Sequence, residues 1–505
     1  MKIKEKALSF FKKEGRASDN IFVLAIAALL AVNVLLYVIV TAAGWYFYGK
    51  EDLDLSISGN TEILFKDAIE KGEKVKVSFC MPKDSIEGHE TGKPVHLTAL
   101  EFKEKYPDFV EIEYINVMTR RDSKGRLIDL DKYKTDQRGK EQPILKTSVI
   151  FECGGNYRVL TDAYTSSGFS DFYTVDAEGY ISSYNGEEVF ASMISWVLKK
   201  EHKTAYFTRY HGESSDVAFA NMLACAGYYI DVIDLRQQSV PEDAGIVVIS
   251  NPKTDFERAA EGSGVKTEIE HLTDYLKRGG NLYVSLDPYV KTLAVFEHFI
   301  AEYGIRLSTS ETDGAKPSRN LIKDPTNAIT TDGFTLVTDY ADGALSSAIK
   351  EKVKSYSDGR VIVRECAALE LSGGAKPILI SSPSSVCEAG GKTVSSLGSY
   401  TVAAYSEIEN EGVSSRIFVI PSIYLSASDA LVSRGYSNKD FTYALFEELF
   451  GAEGLPYGCR AIVYDTNTLE NLTMGTAKIY TALILLVPFA VAVAGAVILI
   501  RRKNR

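Results

Sequence analysis

Two long uncharged runs bracket a chain whose middle alternates between strand-like and helix-like spacing. Residues 21–48 (IFVLAIAALLAVNVLLYVIVTAAGWYFY) and 480–500 (YTALILLVPFAVAVAGAVILI) carry no Asp, Glu, Lys or Arg. Each reaches the roughly 20 residues that a helix needs to cross about 30 Å of hydrocarbon, so both predict transmembrane helices. A cleaved signal peptide would have an apolar core of about 7–15 residues ending at a small-residue site. The first run is longer and ends in Trp45, Tyr46, Phe47 and Tyr48, aromatics suited to a headgroup interface. Pro488 and Gly495 in the second run are tolerated in a membrane helix.

Between the runs the periodicity changes several times. Segment 61–71 has helical spacing, 75–79 (VKVSF) alternates as a strand, 97–106 is an amphipathic helix and 110–117 (VEIEYINV) alternates again. A polar stretch at 119–142 predicts a surface excursion. Segments 148–152 and 157–160, flanking Gly154-Gly155, predict a hairpin. Strand, helix, strand and hairpin in this order predict a thioredoxin-like α/β subdomain over 50–190. Segment 187–200 (EEVFASMISWVLKK) predicts an amphipathic helix bridging to the next domain.

From 204 the alternation becomes regular. Strands are expected at 205–208, 229–235 (YIDVIDL), 244–250 (AGIVVIS) and 281–286 (NLYVSL), with helices at 217–226, 267–277 and 290–303. Apolar, β-branched strands separated by helices predict a parallel sheet covered on both faces. Further strands at 360–363, 377–381, 400–405 and 416–421, and a helix at 440–450, complete an α/β domain over 200–460 with a β-rich insertion at about 315–415. The expected fold class is therefore α/β, with two terminal transmembrane helices flanking both domains.

Charge orients this arrangement. Lys2, Lys4, Lys6, Lys12, Lys13 and Arg16 precede the first run, and Arg501, Arg502, Lys503 and Arg505 follow the second. Basic residues stay on the cytoplasmic side, so tails 1–20 and 501–505 are expected in the cytoplasm of a membrane-bound protein and residues 49–479 outside it. The chain carries −11 overall, and because ten basic but only three acidic residues lie in its flanks, the region between them is near −18. Such a surface excludes a nucleic-acid partner, which needs a basic footprint. Cys80, Cys153, Cys225, Cys366, Cys387 and Cys459 form no CxxC pair, which removes zinc ribbons and thioredoxin-type redox motifs. Disulfides are chemically possible outside, with Cys366 and Cys387 closest in sequence, but a buried thiol is the default.

Familiar catalytic motifs are missing. Gly390-Gly391-Lys392-Thr393 resembles the end of a P-loop, but Val386 stands where its first glycine belongs. There is no GxSxG and no HExxH, and the six histidines are scattered, so no cofactor or metal is expected. The best candidate is Tyr210-His211-Gly212-Glu213, between a strand and a helix, on the edge where open α/β sheets bind ligands. His211 and Glu213 could polarise a carbonyl or hold a sugar hydroxyl. Equally, Gly212 could only make the turn while Glu213 favours the following helix N-terminus. Asn251-Pro252 and Asp287-Pro288 end two further strands and could join the same pocket or simply turn the chain. None of these turns offers a cysteine or a plausible serine nucleophile.

The ordered series YFTRYHGE (206–213), YYIDVIDL, a strand ending in Asn251-Pro252, LTDYLKRGGNLYVSLD (272–287), Tyr303-Gly304-Ile305 and Ser437-Asn438-Lys439-Asp440-Phe441 resembles the GldG-like auxiliary components of gliding-motility-type ABC transport systems. The likeness covers most of 50–450 and is strongest over 204–306. The family usually has Gly-His-Gly-Glu where this chain has Tyr210 before His211. The resemblance implies an ectodomain related in fold to class I glutamine amidotransferases, without a catalytic centre. It also implies a permease and a cytoplasmic ATPase encoded as separate chains. The expected function is a non-catalytic, membrane-anchored auxiliary subunit that binds or gates a small-molecule substrate or an envelope polymer. The alternatives are an extracytoplasmic hydrolase or amidotransferase-like enzyme using His211 and Glu213, and a structural envelope tether.

Overall fold

The computed structural model describes residues 55–164, 172–175, 180–214, 216–257, 266–312, 316–432, 435–459 and 461–464. The expected spans at 21–48 and 480–500, with the tails beyond them, lie outside the described residues. Among the described residues no helix is long and apolar enough to cross a membrane.

The first sheet is built as its alternation implies. Strands β1 (Val75–Phe79) and β2 (Val110–Asn116) run parallel, joined through helices α2 (Lys83–Glu87) and α3 (Gly92–Lys105), with α1 (Asn60–Glu70) before them. A short β3 (Arg121–Asp122) extends one edge, while β4 (Val149–Cys153) pairs antiparallel with β1 and turns into β5 (Asn156–Leu160). The resulting order is β3-β2-β1-β4-β5. Val75, Val77, Phe79, Val149 and Phe151 are fully buried, which fixes the register, because a one-residue slip would turn them to the other face.

Helix α4 (Gly186–Leu198) follows a short antiparallel pair, β6 (Tyr173–Val175) and β7 (Ile181–Tyr184). It differs from the amphipathic bridge expected. Val189, Phe190, Ala191, Met193, Ile194, Trp196 and Val197 are all buried, so the helix is apolar nearly all round, as a helix covered on several sides must be. Phe190 meets Phe102 of α3 at 5.4 Å and Phe151 of β4 at 5.3 Å, while Trp196 meets Tyr229 of the following lobe at 4.8 Å. One continuous apolar cluster runs from Phe65 to Tyr457, and residues 55–464 form one compact unit rather than two separate bodies.

The large sheet begins with β8 (Thr204–Thr208), β9 (Tyr229–Ile233), β10 (Ala244–Ser250) and β11 (Asn281–Ser285). Helix α5 (Val217–Cys225) follows β8, α6 (Glu268–Lys277) follows β10, and α7 (Ala294–Glu302) follows β11. These four strands and Val413–Ile420 are mutually parallel in the order β9-β8-β10-β11-(413–420). Side chains alternate between two cores, as a sheet covered on both faces requires. Phe207, Val248 and Phe418 join one core, and Tyr206, Val247 and Val419 the other.

The expected β-rich insertion at 315–415 takes a different form. Thr401–Asn410 pairs antiparallel with Val413–Ile420, and Lys376–Ile380, Thr335–Tyr340 and Val361–Arg364 continue outward. Most of the segment therefore extends the large sheet itself. Helix α8 (Ala344–Tyr356) lies within this extension, and α9 (Ser428–Val432) and α10 (Asn438–Phe450) return to pack against α5 and α8 respectively. The excursion at 119–142 is also partly anchored. Arg138 and Lys140 pair with Asp231 on edge strand β9, and the Arg138 guanidinium lies 3.9 Å from the Tyr229 ring.

Candidate functional site

The strand order creates a crevice. From β8 the chain passes to β9 on one side and then returns to β10 on the other, so the order reverses between β8 and β10. In open α/β sheets the loops at such a reversal diverge to opposite faces and leave a gap outside the strand carboxyl ends, where ligands bind. Residues 209–214 leave β8 there, and residues 251–254 leave β10 beside them. The structure thus brings Tyr210, His211, Gly212, Glu213 and Asn251 together, with Asp287 one strand further along.

Lys253 is the joint. Its Nζ donates to Asn251 Oδ1 at 2.6 Å and to Asp287 Oδ2 at 2.8 Å. Its backbone N–H donates to the His211 carbonyl at 2.6 Å. A Cβ on Gly212 would lie 3.1 Å from Lys253 Cβ, and Gly212 has φ +71°; the position therefore suits glycine both sterically and conformationally. Below this layer Asn251 Nδ2 donates to Ser214 Oγ at 2.7 Å, and the Ser250 and Ser285 hydroxyls lie 3.0 Å apart.

Backbone strain marks the same edge. Tyr210 has φ +88° and Asn251 φ +54°. Asparagine enters the left-handed region readily, but a non-glycine residue there costs about 1–2 kcal/mol. Position 210 is where the resemblance expects glycine, which would adopt this conformation without that cost. The Tyr210 ring is instead held beside Arg236, whose guanidinium carbon lies 4.0 Å from the ring centroid, with Arg209 at 5.0 Å. Arg236 is itself paired with Asp234 at 3.0 Å, and this hydrogen bond holds the Asp234 carboxyl below its ordinary pKa.

His211 is buried and engaged. Its Nε2 lies 2.6 Å from Glu268 Oε1, and its ring stacks on Phe256 at 4.2 Å, which stacks on Phe296 at 4.5 Å. Burial opposes charging of the imidazole, but the Glu268 hydrogen bond and charge outweigh it, so the His211 pKa stands above its ordinary value. Glu268 is the first residue of α6, after Thr267, whose side chain and Glu270 form a reciprocal capping box. Its other oxygen accepts from the Glu257 N–H at 3.0 Å. Glu213 Oε2 accepts from the His211 N–H at 2.6 Å, while its Oε1 is enclosed without a hydrogen-bond partner.

Sequence reasoning missed Lys253, Phe256 and Glu268. Lys253 carried a signal, since it follows Asn251-Pro252 at a strand end. Glu268 carried less, because nothing local ties it to a histidine 57 residues earlier. Among the described residues no cluster of His, Cys, Asp and Glu could hold a metal ion. All six cysteines are buried and unpaired; burial pushes the Cys80 and Cys225 thiols up to about 12.

No protein-family model matches the chain, and no curated protein matches it. Among solved structures, the mmIFT52 N-terminal domain is 15% identical with a TM-score of 0.36, over 48% of this chain and 96% of that one. A ThuA-like protein from Bacteroides uniformis is 11% identical at a TM-score of 0.30, over 48% of this chain and 89% of that one. A glutamine amidotransferase from Thermotoga maritima is 11% identical at a TM-score of 0.28, over 50% of this chain and 99% of that one. Likeness at this level identifies neither a family nor an activity. The described region is a mixed α/β protein with a partly parallel sheet.

Proposed function

We propose that the chain is a non-catalytic, membrane-anchored auxiliary subunit of an ABC-type transport complex. In this reading the unit over 55–464 lies outside the cytoplasm, and its crevice meets a transported substrate or an envelope partner. The permease and the ATPase are separate chains. The ectodomain belongs, on this proposal, to the glutamine amidotransferase-like folds, and its first sheet to the thioredoxin-like arrangement.

The observation that carries the reading is the state of His211. A general base must lie within hydrogen-bond reach of the proton it abstracts, and covalent catalysis also needs an ionisable nucleophile beside it. Here Nε2 is occupied by Glu268, the ring lies against Phe256, and the cysteines are buried with several thiols raised beyond easy ionisation. Support for the anchoring comes from the two uncharged runs and their basic flanks.

Replacing His211 and Glu213 by alanine in the full-length chain separates this reading from an extracytoplasmic enzyme. A subunit of a complex keeps its permease and ATPase partners after the exchange. An enzyme loses turnover completely, and that result would overturn the proposal.

A further inference from the structure

We propose that the contact among Arg158, Trp196, His202 and Tyr229, where the two sheets meet, is an acid-sensitive latch that loosens when His202 takes up a proton. This goes beyond the proposed function and does not depend on it.

Each of the four comes from a different piece of chain. Arg158 lies on β5 of the first sheet, Trp196 in the last turn of α4, Tyr229 on edge strand β9 of the large sheet, and His202 in the link 199–203 between α4 and β8. The His202 ring stacks on Trp196 at 3.8 Å and 9°, and Tyr229 meets Trp196 edge-on at 4.8 Å. The Arg158 guanidinium carbon lies 4.3 Å from the Trp196 ring centroid and 4.9 Å from that of Tyr229. Trp196 is only 1% exposed. Three rings and a guanidinium thus form one stack through which the first sheet, α4 and the large sheet touch.

The closed stack leaves polar groups unmet. Trp196 Nε1, His202 Nε2 and Arg158 Nε are all enclosed without a hydrogen-bond partner, and loosening lets water supply one to each. Arg158 has no ion pair among the described residues. The carboxylate that acts on it, Asp136, accepts from Arg138 Nε at 3.0 Å, and Arg138 and Lys140 share Asp231. Lys199, the other cation acting on His202, donates to the Glu453 carbonyl. Lys200, Glu201 and Lys203 of the same link are exposed to solvent. An enclosed charge without a partner is unfavourable, so Arg158 leaves no room for a second one.

His202 therefore completes the stack only as the neutral ring. A cation against an indole face is favourable in itself, but Trp196 already faces Arg158, and a charge on His202 would stand beside Arg158 and Lys199 with no carboxylate to meet it. Burial, with those two cations, lowers the His202 pKa to about 4, although the Gly227 and Trp196 backbone groups work against the shift. An ordinary histidine titrates near about 6.5, so the loosened form binds the proton more tightly than the closed one. Closure is fully favoured above about pH 6.5 and loses ground as pH falls towards 4. The sense is opposite to that of His211, whose pKa is raised.

The chain has two tryptophans, Trp45 and Trp196, so Trp45→Phe leaves Trp196 as the reporter. The test follows Trp196 emission wavelength and its quenching by acrylamide in that full-length protein in detergent as pH is lowered, with far-UV circular dichroism alongside. Between about pH 7.5 and about pH 5 the loosening equilibrium should shift at least about tenfold towards the open form. The expected result is a reversible red shift with increased quenching and unchanged dichroism, absent from His202→Gln and displaced to lower pH in Arg158→Met. Where His202→Gln does not fold, Arg158→Met decides, and an unmoved transition overturns the inference. No red shift in the parent, a shift that persists in folded His202→Gln, or a shift seen only with loss of dichroism would also overturn it. So would a fall in intensity without a gain in acrylamide quenching, which reports a proton on His202 in an unopened stack.

Discussion

Lys439 of α10 holds Glu188 of α4 across 251 residues of chain, with Nζ 2.9 Å from Oε2. Tyr443 OH donates to the other Glu188 oxygen at 2.6 Å. Both charges are mostly buried, and the contact ties the closing helix of the large sheet to the helix shared by both lobes. Removing one partner of a buried pair strands the other and costs about 3–5 kcal/mol, whereas removing both can be nearly neutral. Lys439→Met should therefore destabilise the chain strongly, and Glu188→Gln combined with Lys439→Met should recover part of the loss. Denaturant unfolding of the full-length variants measures both; a double variant no more stable than Lys439→Met would show that the pair is not coupled as described.

The neighbouring Asn438 closes the outer edge of the large sheet. Its Oδ1 accepts from the Ile362 N–H at 3.0 Å, and its Nδ2 donates to the Ile362 carbonyl at 2.8 Å. The amide thus takes the place of a further strand at an edge that would otherwise be open to pairing with other chains. Asn438→Ala leaves these groups without their partner, and each buried unsatisfied group costs about 1–3 kcal/mol. A loss of at least about 2 kcal/mol is expected, with a greater tendency to aggregate, read by unfolding and by light scattering.

Gly304 sets the approach of two segments. It has φ +82°, and a Cβ there would lie 2.2 Å from the Ser372 carbonyl oxygen. Backbone cannot yield as a flexible side chain can. Gly304→Ala should cost more than about 2 kcal/mol, above the usual effect of a single substitution, by the same unfolding measurement.

The His211–Glu268 pair gives a pH dependence of definite sign. The folded-state pKa of His211 lies above the ordinary value of 6.5. Its contribution to stability is therefore full below the unfolded pKa and is lost as pH rises through the folded one. The stability difference between the parent and His211→Gln should be largest in mildly acidic buffer and shrink as pH is raised past about 6.5. Asp324 behaves oppositely. Burial opposes its ionisation, but the Ser382 and Ser384 hydroxyls and the Thr326 and Asn327 N–H groups outweigh that and lower its pKa to about 2. Its contribution holds above about 3.8 and disappears as pH falls towards 2. Urea titrations at a series of pH values, with Asp324→Asn as the second comparison, check both signs.

Local pattern made much of this fold legible, and non-local pairing hid the rest. Runs such as VKVSF and AGIVVIS alternate or stay apolar because their neighbours in the sheet demand it, and they form β1 and β10 as expected. Helix α4 was legible as a helix, but not its burial, because its second partner, Tyr229, comes from a strand 33 residues after Trp196. The strands at 361–364, 376–380 and 401–410 could be placed individually, whereas Thr335–Tyr340 was missed, and their membership of the large sheet depends on antiparallel contacts that leave no local trace. At the crevice, Tyr210–Glu213, Asn251 and Asp287 showed themselves as strand-end turns. Lys253 and Glu268, which bind those turns into one site, became visible only with the fold.

The proposed role as a membrane-anchored subunit is decided by the companions of the chain. Affinity purification of the tagged full-length protein from native membranes in mild detergent, followed by identification of its companions, tests this most directly. On the proposed function, an ATPase and a polytopic permease are recovered in constant ratio to the chain. Recovery of the chain alone, under conditions that keep other membrane complexes intact, would contradict it.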